Sequence, residues 1–182
     1  MKALCLVAHP DDCVIFAYSF IHNHPELHWT ICYLTYTEQD PRGAELAEFW
    51  SRRCIPTQFL GYVDDYRDIE NCRLSFDAGE AHQAIQYLCK NFDIILTHNA
   101  EGDYGHIHHK FVYSCVPEHH PHVITFAPPG AGTDTYMIPE GTYSLSELPQ
   151  HGQIVESFHS RGHANCYSVP PATKIQLDKI HN

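Results

Sequence analysis

Apolar residues along the chain form either short continuous runs or stretches with helical spacing. Residues 3–8 are apolar throughout, which is typical of a strand buried on both faces of a parallel sheet. Residues 14–21 and 77–91 have helical spacing, and the second helix is predicted to be capped at Asp77 with Glu80 three positions later. The same patterns predict further strands at 29–37, 57–62, 93–99 and 122–129, and further helices at 43–54 and 108–115.

The predicted elements follow one another as strand–helix units. This order indicates an α/β fold with three layers and a mainly parallel sheet. The length of 182 residues fits one domain, so we predict a single domain over residues 1–182. The tail from residue 133 is richer in proline and glycine, with short strand-like pieces at 135–139 and 165–170, and we expect it to pack on the same domain.

The acidic composition restricts the classes of partner. The formal net charge is −11, from 22 acidic and 11 basic residues, and a negative surface repels nucleic acid and anionic membrane. We therefore expect a small-molecule substrate and no nucleic-acid partner. The sequence is compatible with a homo-oligomer.

The cysteines and the N-terminus indicate a cytoplasmic protein. The eight cysteines include no C-x-x-C motif, so we expect free thiols and no zinc ribbon. The first apolar run is too short for a signal peptide, and no stretch reaches the roughly 18 apolar residues of a membrane span.

Two polar clusters follow directly after predicted strands. His9, Asp11 and Asp12 come after the first strand, and His106 and His109 come after the fourth. Because the carboxyl ends of parallel strands meet at one edge of the sheet, we expect the two clusters to lie together. Adjacent carboxylates repel each other, so we also expect a positive partner beside the two aspartates.

Two histidine nitrogens and one carboxylate are a typical donor set for a catalytic zinc ion, which keeps a fourth position for water. His9 and Asp12 are three positions apart at a strand-to-helix turn. His106 and His109 are three apart at the start of a predicted helix, so each pair can share a face. Asp11 would then be the carboxylate left free to take a proton as general base.

Each cluster also has a simpler interpretation. A lone H-x-x-H on a helix is more often a solvated face, and adjacent aspartates at a helix start usually cap it. The sequence contains no G-x-G-x-x-G motif and no Walker lysine, which argues against a nucleotide-binding site. It also contains no G-x-S-x-G motif, which argues against a serine-hydrolase site. The residues alone leave the metal site and the structural interpretation open.

Four segments of the chain resemble one protein family. "AHPDDC" resembles the AHPDDE signature of the PIG-L/LmbE-like N-acetylglucosaminyl deacetylases, and "THNAEGDYGHIHHKFV" resembles their second block. "PRGAELAEFWSRRCIPTQFLGYVDD" and "LPQHGQIVESFHSRGHANCY" are similar to their intervening and C-terminal regions. The resemblance implies a Rossmann-like (LmbE-like) fold, one Zn²⁺ per chain, and removal of an N-acetyl group from a GlcNAc-type amino-sugar derivative.

The resemblance also implies roles for residues of the two blocks. Position by position, His9, Asp12 and His109 match the metal ligands, and Asp11 matches the general base. His106 matches a group that stabilises the oxyanion or protonates the leaving amine.

Three further residues match positions around the substrate. Tyr104 matches a tyrosine that polarises the substrate carbonyl. Arg42 matches an arginine that contacts substrate, and Asp64 matches an aspartate at the pocket wall.

The chain departs from the family pattern at two positions. Cys13 replaces the glutamate of AHPDDE, and Ile107 replaces a proline of the second block. We predict that Cys13 is a packing residue, although a helix N-terminus can also lower a thiol pKa and make it reactive. His108 is an additional histidine, which helical geometry predicts to point away from His106 and His109 into solvent.

Two other functions are compatible with these residues. One is a zinc amidase acting on another acylated amine, such as a thiol conjugate or an antibiotic precursor. The other is a non-catalytic protein that binds metal or sugar, although such a protein needs neither Asp11 nor His106.

Overall fold

A mostly parallel sheet runs through the centre of the protein in the computed structural model, which describes residues 1–127, 134–136, 143–160 and 166–181. The strand order in this described part is β3-β2-β1-β4-β5-β7-β6. β3, β2, β1, β4 and β5 are parallel to one another, and β7 is antiparallel to both β5 and β6. The strands are β1 (Lys2–Val7), β2 (His28–Thr35), β3 (Thr57–Tyr62), β4 (Ile94–Thr97), β5 (Val123–Phe126), β6 (Asp134–Thr135) and β7 (Cys166–Ser168).

Helices cover both faces of the sheet, which gives the predicted three layers. Alternate residues of β1 enter opposite cores: Ala3, Cys5 and Val7 join one apolar cluster, and Leu4 and Leu6 join the other. The α-helices are α1 (Tyr18–Asn23), α2 (Pro41–Ser51), α3 (Arg67–Asn71), α4 (Ala78–Cys89), α5 (Ile107–Cys115), α6 (Gly152–Ser160) and α7 (Pro171–His181).

The predicted elements agree with this architecture. Asp77 caps α4 by accepting hydrogen bonds from the backbone N–H groups of Gly79 and Glu80. The tail adds β6 and β7 to the same sheet, which confirms that it packs on the same domain. Residues 137–139 and 165 of its predicted strand pieces lie outside the described residues.

The chain departs from regular α-helix immediately after β1. Residues Cys13–Ala17 form a π-helical turn that continues into α1. The Tyr167 hydroxyl of β7 donates to the Phe16 carbonyl (2.6 Å) and accepts from the Phe20 backbone N–H (3.2 Å). It also lies 2.6 Å from the hydroxyl of Ser19. A distant tyrosine therefore satisfies backbone groups at the junction of the π-turn and α1.

Replacing Tyr167 with phenylalanine should destabilise the fold by about 1–3 kcal/mol, because it leaves buried backbone groups without their partner. Urea unfolding would measure the loss. Tyr87→Phe is a matched control, since Tyr87 is exposed on α4 and its substitution should change stability by less than about 0.5 kcal/mol. Equal stability of the two variants would contradict this role of Tyr167.

The structure also describes the helix lengths and the state of the cysteines. No helix within the described residues is both long and apolar enough to cross a membrane. All eight cysteines are free thiols.

Candidate active site

The two polar clusters meet at the carboxyl edge of the sheet, as predicted. β1 and β4 are adjacent and parallel, so the segments that follow them leave the sheet side by side. As a result His9 Nδ1 lies 3.3 Å from His109 Nε2, although the residues are far apart in sequence.

Asp12 lies between these two histidines. Its Oδ2 atom is 3.2 Å from His9 Nδ1 and 3.3 Å from His109 Nε2. Donor atoms around a tetrahedral zinc ion, with bonds of about 2.0–2.2 Å, are separated by about 3.3 Å. The three side chains, which are all buried, thus fit a divalent metal in both chemistry and spacing.

The charges of this cluster are balanced internally. Burial favours the neutral acid, yet the His109 and His9 imidazoles hold the pKa of Asp12 well below its usual range. Burial also opposes protonation of His9, but the Asp12 charge raises its pKa to about 10. The positive charge of His9 therefore compensates the negative charge of buried Asp12. This agrees with the expectation of a positive partner beside the two adjacent aspartates.

The loop between β4 and α5 orients His109. Asp103 Oδ2 accepts from both His109 Nδ1 (2.8 Å) and His98 Nδ1 (2.5 Å). Gly102 adopts φ +74°, and a Cβ atom there would lie 2.6 Å from the His106 carbonyl oxygen. The tight turn of the loop thus requires glycine at position 102. Because His109 Nδ1 bonds to Asp103, Nε2 of the same ring is directed at Asp12.

His106 caps α5 through its own side chain. The His106 Nδ1 atom accepts a hydrogen bond from the His108 backbone N–H. Burial and the charges of His9 and His109 lower the pKa of His106 to about 3. A neutral imidazole that accepts at Nδ1 carries its proton on Nε2, so His106 presents an N–H donor at that atom.

The Tyr104 ring lies beside the histidines and is half exposed. Its centroid is 5.9 Å from that of His106 and 5.1 Å from that of His109. Burial raises the pKa of the Tyr104 hydroxyl, so the hydroxyl stays protonated and can donate a hydrogen bond.

Arg42 connects Asp11 to the pocket wall. Its guanidinium donates to Asp11 Oδ1 at 3.1 Å and to the Tyr36 hydroxyl at 2.6 Å. The Tyr36 hydroxyl in turn donates to Asp64 Oδ2 at 2.8 Å. Burial and the Asp12 charge raise the pKa of Asp11, while Arg42 opposes this shift. Arg42, which was predicted to contact substrate, thus lies next to Asp11, and Asp64 is connected to Asp11 through Arg42.

The C-terminal tail supplies a residue that the sequence analysis missed. His151, just before α6, is fully buried and accepts from Arg42 Nε at 3.0 Å through Nε2. Its Nδ1 atom lies 3.0 Å from Glu45 Oε2. Arg42 therefore forms hydrogen bonds both with the N-terminal part of the chain and with the C-terminal tail.

His108 does not point into solvent, so that expectation is wrong. Its side chain is fully buried, with Nδ1 3.1 Å from His9 Nε2 and Nε2 2.8 Å from Asp68 Oδ2. The Phe76 ring packs on it, with centroids 5.7 Å apart. The chain around α3 covers the side of α5 that was expected to be open.

The sequence analysis assigned no role to four more residues near the site: His98, Asp103, Asp68 and Tyr36. Only the position of His98 and Asp103 between a strand end and the second polar cluster could have indicated them. Asp68 and Tyr36 have no such signal.

Cys13 lies in the core, consistent with a packing role. Its Sγ donates to the Pro10 carbonyl, accepts from Trp50 Nε1, and lies 3.1 Å from the Tyr33 hydroxyl. Burial raises the pKa of the thiol, which disfavours the thiolate needed for a nucleophile.

Solved structures with the same architecture include enzymes of more than one reaction class. The 4-carboxy-2-hydroxymuconate hydratase GalB of Pseudomonas putida matches with a TM-score of 0.60 at 13% identity, covering 88% of this chain and 83% of that one. The N,N′-diacetylchitobiose deacetylase of Pyrococcus horikoshii matches with a TM-score of 0.57 at 13% identity, covering 94% and 84%. A zinc-inhibited form of teicoplanin deacetylase Orf2 matches with a TM-score of 0.54 at 14% identity, covering 88% and 85%.

At such low identity these structures establish the fold alone. A comparison with curated proteins finds no significant match. The family profile described as PIG-L, GlcNAc-PI de-N-acetylase, matches residues 4–120, a segment that includes both polar clusters, Arg42 and Asp64. The chain therefore belongs to the PIG-L family of de-N-acetylases.

Proposed function

We propose that the protein is a zinc-dependent hydrolase that removes an N-acetyl group from a GlcNAc-type amino-sugar derivative. The observation that carries this proposal is the His9, Asp12 and His109 donor set with an uncoordinated carboxylate, Asp11, next to it in sequence. Family membership supports a deacetylase, and so do the names of two similar structures, one of them a diacetylchitobiose deacetylase.

The ligand assignment rests on which nitrogen atoms are already engaged. Among the described residues, three other groups of potential ligands overlap with this set: His9, His106 and His109; His9, Asp64 and His108; and Asp12, His98 and His109.

Three of these histidines have competing partners. His98 accepts the Ala8 backbone N–H at Nε2 and contacts Asp103 through Nδ1. His108 contacts Asp68, and His106 accepts a backbone N–H. The proton that this contact places on His106 Nε2 makes that atom a poor ligand, whereas His9 Nδ1, Asp12 Oδ2 and His109 Nε2 lie 3.2–3.3 Å from one another.

Asp11 is the proposed general base. A bound zinc ion would lower the pKa of a water molecule to about 7 and polarise the amide carbonyl. Asp11 then takes a proton from the attacking water and can return it to the departing amine. Its ion pair with Arg42 fixes the orientation of the carboxylate.

His106 and Tyr104 act on the substrate carbonyl. His106 is neutral and donates from Nε2, so it stabilises the developing oxyanion and is not the acid that protonates the amine. The Tyr104 hydroxyl is protonated and polarises the same carbonyl. Arg42 and Asp64 contact hydroxyl groups of the sugar at the pocket wall.

Removal of a ligand should abolish metal binding. Purified wild-type protein should contain one zinc ion per chain by elemental analysis, whereas Asp12→Ala and His109→Ala should contain none under the same conditions. His82→Ala, which replaces an exposed histidine of α4, should retain the metal. Full occupancy in both ligand variants would overturn the assignment.

Amine release from a panel of N-acetylated substrates tests the activity. The panel should include N-acetylated amino sugars, N-acetylated thiol conjugates and acylated antibiotic precursors. Release from the sugars alone supports the proposal, and release only from another class makes the protein an amidase of that class. Zinc binding without any amine release would favour a metal- or sugar-binding protein.

A further inference from the structure

The second ring nitrogen of His9 points away from Asp12 and His109. If His9 Nδ1 directs its lone pair at the zinc ion, as the proposed function requires, Nε2 must carry the ring proton. A metal-bound histidine usually donates that proton to a fixed acceptor, which sets its tautomer and the orientation of its ring.

Two acceptors lie within reach of His9 Nε2. His108 Nδ1 is 3.1 Å away, and Asp64 Oδ1 is 3.6 Å away. The nearer atom belongs to a fully buried side chain that the sequence alone placed in solvent. His108 therefore occupies the acceptor position for His9.

Asp68 favours the tautomer of His108 that accepts a hydrogen bond at Nδ1. Asp68 Oδ2 lies 2.8 Å from His108 Nε2, and the carboxylate, which is 1% exposed, also accepts from the Ser75 hydroxyl. An ionised carboxylate can only accept, so the proton of His108 lies on Nε2 and the lone pair on Nδ1 faces His9. The three side chains thus form a directed series of hydrogen bonds.

We propose that His108 and Asp68 are positioning residues that fix the tautomer and orientation of the metal ligand His9. The series runs from His9 Nε2–H to His108 Nδ1, and from His108 Nε2–H to Asp68. His109 has a direct carboxylate partner, Asp103. His9 reaches its carboxylate through an intervening imidazole, which connects the metal site to α3.

The same atoms could instead bind a second ion. His9 Nε2, His108 Nδ1 and Asp64 Oδ1 lie 3.1–3.7 Å from one another. A second ion would require His9 to bind metal through both nitrogens, and it would break the hydrogen bond to His108. Metal stoichiometry separates the two arrangements.

Zinc affinity, measured by competition with a chelator, tests the positioning role without reference to deacetylation. His108→Phe keeps a ring but removes the acceptor, and we expect it to weaken zinc binding about 10–100-fold. His108→Asn, whose amide oxygen replaces Nδ1, should bind zinc more tightly than His108→Phe. Asp65→Asn is the matched control, because Asp65 pairs with Arg67 beside α3 and should leave the affinity unchanged.

Nitrogen-15 NMR of histidines in the zinc-loaded wild type gives a second readout that needs no variant. The expected spectrum shows a proton on Nε2 of both His9 and His108. An unprotonated His9 Nε2, a stoichiometry of two zinc ions per chain, or a His108→Phe affinity equal to wild type would each overturn the proposal. Absence of deacetylase activity would overturn only the proposed function, whereas absence of zinc binding would overturn both.

Discussion

Replacing Asp11 with asparagine should reduce turnover by about 10²–10⁴-fold while the metal content stays at the wild-type level. Asparagine keeps the size of the side chain and can still accept a hydrogen bond from Arg42, but it cannot take a proton from water at neutral pH. Asp11 is also not among the atoms that converge between His9 and His109. The loss should therefore appear in kcat, measured by amine release, with zinc measured in the same samples.

The ion pair with Arg42 provides the control for this result. Asp11→Asn and Arg42→Gln both break the pair, but only the first removes the proposed base. Arg42→Gln should chiefly raise KM, because Arg42 is proposed to contact substrate. Equal losses of kcat in the two variants would mean that the ion pair, and not proton transfer, accounts for the effect of Asp11. An Asp11→Asn enzyme within about tenfold of wild type would contradict the base assignment.

Replacing His106 with asparagine should reduce kcat by about 10²–10³-fold with the zinc ion retained, because the variant lacks the Nε2–H donor for the oxyanion. Asparagine is chosen because it is a good N-cap and can still accept the His108 backbone N–H. The variant therefore removes the proposed donor while leaving the start of α5 intact.

Comparison with His106→Ala separates catalysis from folding. Alanine removes both the donor and the cap. His106→Ala should therefore show the same loss of kcat as His106→Asn and, in addition, lose about 1 kcal/mol of stability. If His106→Asn loses its zinc, His106 is a ligand and the proposed division between ligands and oxyanion donor is wrong. Near wild-type kcat in His106→Asn would show that the loss in His106→Ala comes from the cap alone.

The meeting of the two polar clusters could be predicted because it depends on topology. Strands β1 and β4 read as apolar runs, and parallel strands end at the same edge of the sheet. Short-range spacing then placed His9 beside Asp12. These inferences need only patterns within each segment and one general rule about sheets.

The surroundings of the site could not be predicted because they depend on contacts between segments that share no pattern. Helical geometry predicted that His108 points away from His106 and His109 into solvent, but it could not show that Asp68 and Phe76 bury this side chain. The same holds for His151, which reaches Arg42 from the tail. Nothing local to either residue signals these partners.

The hydrogen bonds of the Tyr167 hydroxyl limit how far the chain can be truncated for expression. The family match ends at residue 120, and a fragment with that boundary would retain every proposed ligand and catalytic group. It would nevertheless lack the partner of the Phe16 carbonyl and the imidazole that holds Arg42. The segment that relatives share in sequence is therefore smaller than the unit that must be expressed to study the enzyme.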